Sequence, residues 1–110
     1  MSRRLIIRPE AEADLTDAAE WYDNRELDLG LEFVSEVHSA ISRALKDPES
    51  FARVRRRPTV RRVLTRRFPY RVFFIERPDS IIVFAILHAA RHDRLWRSRA
   101  EHKRESSEAS

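Results

Sequence analysis

The sequence predicts an α+β domain: an N-terminal strand and a helical hairpin packed on one face of a mostly antiparallel sheet of three to four strands. Three observations carry this. A short apolar triplet, Leu5-Ile6-Ile7, stands ahead of Arg8-Pro9. Two stretches of helical periodicity follow. The remainder is rich in β-branched and aromatic residues punctuated by turn residues.

Each element has a local reason. Leu5–Ile7 reads as the first strand. Pro9 suits the first turn of a helix, and Glu10, Glu12 and Asp14 complement its positive end. Ala11, Leu15, Ala18, Ala19 and Tyr22 then share one face, with Trp21 at its border. The helix fades over Asn24 to Asp28. Gly30, the sole glycine, is expected to supply an unusual backbone conformation in the turn between helices. From Leu31, a second stripe runs through Val34, Val37, His38, Ile41, Ala44 and Leu45, and Asp47-Pro48 ends it. Pro48 to Thr59 reads as a polar, basic connector. Strands are expected at Val60–Thr65, Tyr70–Glu76 and Ser80–His88, the last two joined through Arg77-Pro78-Asp79-Ser80. Ser80–His88, apolar on both faces, reads as a central strand. Residues 93–99 add a helical turn carrying Leu95 and Trp96. The expected organisation is one domain over residues 1–99 and a charged, serine-rich, disordered tail over 100–110.

The core is expected to draw on Ile6, Leu15, Ala18, Tyr22, Val34, Val37, Ile41, Val72, Phe74, Val83 and Ala85. The parity of Val60–Thr65 stays open: Arg62, Leu64 and Arg66 share one side, Arg61, Val63 and Thr65 the other, and neither is cleanly apolar.

Charge is divided sharply. Residues 1–50 carry 6 basic and 12 acidic side chains; residues 51–110 carry 16 basic and 6 acidic. Nine arginines and no acid lie between Arg53 and Arg71. Such a surface attracts polyanions or acidic protein segments. Of 22 basic residues only Lys46 and Lys103 are lysine. That preference fits a binding surface and fits a GC-rich genome equally well.

Several chemistries lack their parts. No cysteine is present, which removes disulfides, zinc–thiolate sites and thiol nucleophiles. One glycine cannot build a phosphate-binding loop or a dinucleotide turn. Glu10, Asp14 and Asp17 look like the solvated side of the first helix. His88 and His92 flank Arg91 without a third metal ligand. His88, ending an apolar strand, reads as a partly buried histidine satisfied by backbone, and His38 as a packing residue. The longest apolar run, Ile81–Leu87, is far too short to span a bilayer, and the cytoplasm is the expected compartment. No cofactor or metal is implied.

The arginines remain. RNA cleavage needs no metal if a base activates the 2′-hydroxyl and cations stabilise the charged phosphorus centre. Arg62, Arg66, Arg71 and Arg91 could supply the cations. Arginine cannot itself act as base at neutral pH. Trp96 could stack on a nucleobase.

Ala13-Asp14-Leu15 with Trp21-Tyr22, Leu45-Lys46-Asp47-Pro48, Val60-Arg61-Arg62-Val63-Leu64, Tyr70-Arg71-Val72-Phe73-Phe74 and Ile86-Leu87-His88-Ala89-Ala90-Arg91 together resemble the RelE/ParE toxin superfamily of bacterial toxin–antitoxin systems. The resemblance spans roughly residues 5–99. It implies the same helical hairpin on an antiparallel sheet, and a role in growth inhibition and plasmid stabilisation. RelE-like members cut mRNA on the ribosome; ParE-like members poison DNA gyrase. Arg62, Arg71 and Arg91 fall where RelE-like enzymes are basic, and would be catalytic only under that reading. Leu64 stands where a lysine is expected, and Arg97 where a tyrosine is expected. His88-x-x-Arg91 with Leu95-Trp96-Arg97 is more similar to the ParE branch, which is not enzymatic.

The resemblance further implies a cognate antitoxin, whose acidic segment orders on binding and forms a hetero-oligomer with the toxin. Arg61, Arg66, Arg67, His88, Trp96 and Arg97 are the expected partner-binding residues. Three readings follow: a ParE-like gyrase poison, a ribosome-dependent endoribonuclease, and a non-toxic binding module. All three expect guanidinium groups gathered on an open side of the sheet, with the helices on its reverse.

Overall fold

A computed structural model describes residues 3–54, 57–90 and 95–100. The expectations for Arg91, His92 and residues 101–110 of the tail fall outside the described residues; Ala100, assigned to the disordered tail, instead lies in a helical segment and packs against Trp96's cluster. The chain order is β1 (Arg4–Ile7), α1 (Pro9–Asp23), α2 (Leu29–Lys46), a 3-10 turn (Pro48–Ser50), β2 (Arg53–Val54), β3 (Arg57–Leu64), β4 (Tyr70–Glu76) and β5 (Ser80–His88). Residues 95–100 form a further helical segment, α3.

One five-stranded sheet has the order β1-β5-β4-β3-β2. It is antiparallel except for β1, which runs parallel to β5 with Leu5 opposite Ile81 and Ile7 opposite Val83. The sheet thus exceeds the expected three to four strands. The addition is β2, two residues of the basic connector bonded to β3 across an irregular register. So short a pairing leaves no alternation to read in sequence. β4 and β5 form the expected hairpin, and β5 is interior, between β1 and β4.

The helical hairpin packs on one face. Ala11, Ala18, Phe33, Val37, Ala40, Ile41 and Ala44 meet Val63, Val72, Phe74, Ile81, Val83 and Ile86 there. Leu15, Tyr22 and Val34 border this core, and so does Ile7 rather than Ile6. Tyr22, Phe33, Phe68 and Tyr70 interlock with ring centroids 4.7–6.2 Å apart, which ties both helices to the β3–β4 turn. His38, expected to pack, is exposed.

The open parity is resolved by register. Arg61 lies opposite Phe74, and Val63 opposite Val72, so these two face the helices. Arg62 and Leu64 face outward. The register shifts between Phe73 and Phe74, which pair with Ala85 and Val83. Phe84 is therefore the extra residue of a β-bulge. The bulge places Phe84 and Ala85 both on the outer face, which is why Ala85 leaves the expected core for a second cluster with Val60, Phe73, Leu87 and Trp96.

Gly30 corrects an expectation. It is the second residue of α2, with ordinary helical φ, and the left-handed residue is Asp28, φ 64°. The glycine serves close approach instead. A Cβ there would overlap the Ala19 carbonyl oxygen and sit 2.7 Å from the Asp23 carboxylate. In return the Gly30 N–H donates to Asp23 Oδ1 at 2.7 Å. The last residue of α1 thus caps the first turn of α2, where a carboxylate also meets the positive end of the helix.

Candidate protein-interaction surface

The outer sheet face is built from alternate residues of β3, β4 and β5. Register sets Arg62 beside Phe73 and Ala85, and Leu64 beside Arg71 and Leu87. Arg62 and Arg71 are consequently diagonal neighbours on adjacent strands, about 7–8 Å apart at the backbone. Both are partly exposed, and neither forms an ion pair with another described residue. Leu64 between them is 55% exposed. Two unneutralised guanidiniums around an exposed leucine make a cationic, partly apolar surface.

The centre of this face is not open. α3 lies over it, and Trp96, 2% exposed, stacks on Phe73 at 5.1 Å and 16°. Leu95 and Ala100 complete the cover. Trp96 is therefore a packing residue here rather than a platform presented to solvent. Arg97 reaches back over the Trp96 ring, 5.4 Å from its centroid.

The other sequence-selected arginines separate into distinct tasks. Arg61, 7% exposed, is turned inward. Its Nε donates to Glu76 at 2.9 Å, and a terminal nitrogen donates to the Phe51 carbonyl at 2.7 Å and the Glu49 carbonyl at 3.3 Å. Glu76 also accepts from Arg3 at 3.2 Å. These bonds pin the segment after α2 to the sheet, so Arg61 holds the fold together. Arg66 and Arg67 occupy the β3–β4 turn, both exposed. Arg67 pairs with Glu32 of α2 at 2.9 Å, and its backbone N–H donates to Glu36 at 2.9 Å. The Glu32 hydrogen bond, then its charge, raises the Arg67 pKa further above its already high ordinary value.

His88 ends β5 on the helix side. Its Nδ1 accepts the Ala90 N–H at 3.0 Å, which assigns the proton of the neutral ring to Nε2, and its ring meets Tyr70 at 5.4 Å. The expectation of a backbone-satisfied histidine matches this contact.

Asp14 was the residue that sequence reasoning misplaced. It is not solvated but mostly enclosed, its side chain 13% exposed. It accepts the Ile86 N–H at 2.9 Å and both terminal nitrogens of Arg99 at 2.6 and 3.1 Å. β1 ends at Ile7, so Ile86 has no strand partner on that side, and Asp14 substitutes for one. The only sequence signal was its position in the second turn of α1, seven residues past the end of a short strand.

Among the described residues no three histidine or acidic side chains come together to hold a metal. No helix among them is long and apolar enough to cross a membrane.

A small sheet carrying a helical hairpin on one face, and α3 beside two exposed arginines on the other, defines a class: an α+β domain of helices on both sides of a mostly antiparallel sheet. The family described as "ParE toxin of type II toxin-antitoxin system, parDE" matches residues 5–93. The chain therefore belongs to the ParE toxin family. Its fold is similar to a chain of a solved structure titled "Chromosomal ParDE TA system from P. aeruginosa", with a TM-score of 0.68 and 20% identity, covering 78% of this chain and 95% of that one. Curated protein sequences give no significant match.

Proposed function

We propose that this chain is the growth-inhibiting member of a two-protein pair, that it acts in the cytoplasm by binding DNA gyrase, and that a cognate antitoxin neutralises it by covering the basic outer face. The family match over residues 5–93 carries the reading. The geometry supports it in two ways. Arg62, Leu64 and Arg71 form a cationic rim with an apolar centre, the composition of a protein-binding patch. An antitoxin segment rich in Asp and Glu is complementary to that rim and would order as it binds.

A ribonuclease reading draws on the same Arg62–Arg71 pair, which could stabilise charge on a phosphate. The position of Trp96 speaks for the gyrase reading instead. The aromatic ring that could stack on a base is spent on Phe73, and α3 fills the space beside the two arginines.

Induced expression in bacteria tests the proposal. Growth should arrest, with intact mRNA when ribosomal cleavage sites are mapped by primer extension. Co-expression of the neighbouring antitoxin gene should restore growth. Discrete mRNA cuts would select the ribonuclease reading, and unimpaired growth would select a non-toxic binding module.

A further inference from the structure

We propose that the cleft between α1 and the end of β5 receives a guanidinium group, an arginine side chain presented by a partner protein, held by Asp17 and Trp21. The cleft has a volume of about 700 Å³ and opens between Asp14, Asp17 and Trp21 on α1 and Tyr70, His88 and Arg99 opposite. It runs along the sheet edge, with α1 on one side and Leu87, Leu95 and Arg99 of the outer layer on the other. The growth-inhibition reading rests on Arg62, Leu64 and Arg71, none of which lines the cleft, so either can fail alone.

Three observations converge. First, the cleft already binds a guanidinium of its own chain, because Asp14 clamps Arg99 with both carboxylate oxygens. Second, Asp17 repeats that carboxylate one helical turn along. It lines the same cleft, is exposed, and forms no ion pair with a described residue. Third, Trp21 stands four residues beyond Asp17, on the same helix face. Trp21 is 52% exposed, unusual for a residue with so large an apolar side chain. That ring also accepts a cation: Arg25 lies 4.2 Å from its centroid.

A planar cation satisfies both components at once. The carboxylate takes the hydrogen-bonding edge of the guanidinium and the indole takes its face. Among the described lining residues the Asp14 and Arg99 charges cancel, and Asp17 remains as the carboxylate that selects a cation over an anion. Arginine is favoured over lysine because an ammonium cannot stack on the ring and fork to the carboxylate together.

The test uses the full chain and nuclear magnetic resonance, with N-acetyl-arginine amide as probe and N-acetyl-citrulline amide as its neutral isostere. The Trp21→Phe variant assigns the two indole N–H signals. The Trp21 indole should shift saturably with the arginine probe while the buried Trp96 indole stays fixed. Citrulline should bind at least about fivefold more weakly, and Asp17→Asn should weaken arginine binding about fivefold without lowering Tm. Equal responses to arginine and citrulline, or unchanged binding in Asp17→Asn, would overturn the proposal. So would shifts spread over the acidic surface rather than the cleft.

Discussion

Asp14 and Arg99, 85 residues apart, are joined by two hydrogen bonds, and the same carboxylate holds the Ile86 N–H of the interior strand β5. One side chain of α1 thus fastens both the sheet and α3, and α3 in turn carries Trp96 onto the outer face. The pair links the helical layer to the cover of the opposite layer.

Removing either partner leaves the other charge mostly buried and unpaired. Asp14→Ala also strands the Ile86 N–H. The expected loss for Asp14→Ala is about 3 kcal/mol, with a smaller loss for Arg99→Ala, whose removal leaves the Ile86 bond intact. Urea unfolding of both single variants and the double variant checks this. Losses that simply add would mean that the two side chains are not coupled.

Gly30→Ala should destabilise the hairpin by about 3 kcal/mol, because the new methyl overlaps a backbone carbonyl that cannot rotate away. Adding Asp23→Ala should not restore stability, since it removes a cap and leaves the Ala19 carbonyl in place. Thermal melts of the two variants decide it.

Trp96→Ala should cost about 3–5 kcal/mol, whereas Trp21→Ala should change stability by under about 1 kcal/mol. The contrast follows from burial, 2% against 52% exposed. In emission spectra the wild-type contribution of Trp96 should be the blue-shifted one, lost on unfolding. A red-shifted Trp96 would mean that α3 does not cover the sheet.

Burial raises the pKa of Tyr22 above its ordinary value of 10.0. The phenolate is disfavoured in the folded chain, so the folded state binds the proton more tightly than the unfolded one. This contribution is fully present below pH 10 and is lost as pH rises through the folded-state value. Stability should therefore decline above about pH 10, and Tyr22→Phe should flatten part of that decline. Chemical unfolding from pH 8 to 11 measures it. An unaltered alkaline slope in the variant would assign the decline to other groups.

Much of the fold was legible because its signals are local. Tyr70–Glu76 and Ser80–His88 coincide with β4 and β5, since β-branched runs ended by Arg77-Pro78-Asp79-Ser80 leave little choice of boundary. Pro9 and Pro48 marked a helix start and a helix end for equally local reasons. What escaped depends on partners far along the chain. Asp14 alternates with apolar residues like a solvated carboxylate, and only the end of β1 beside Ile86 gives it a task. Arg61 and Arg62 are identical in composition, yet pairing with Phe74 turns one inward to Glu76 and leaves the other outside. Gly30 looked like a turn residue because glycine's conformational freedom and its smallness leave the same mark in a sequence.

The most direct test of the functional account is a DNA supercoiling assay with purified gyrase. The wild-type chain should inhibit supercoiling, and Arg62→Glu with Arg71→Glu should abolish inhibition at unchanged Tm, because it reverses both charges that flank Leu64 in the proposed contact. Supercoiling that proceeds at the normal rate with excess wild-type chain would contradict it.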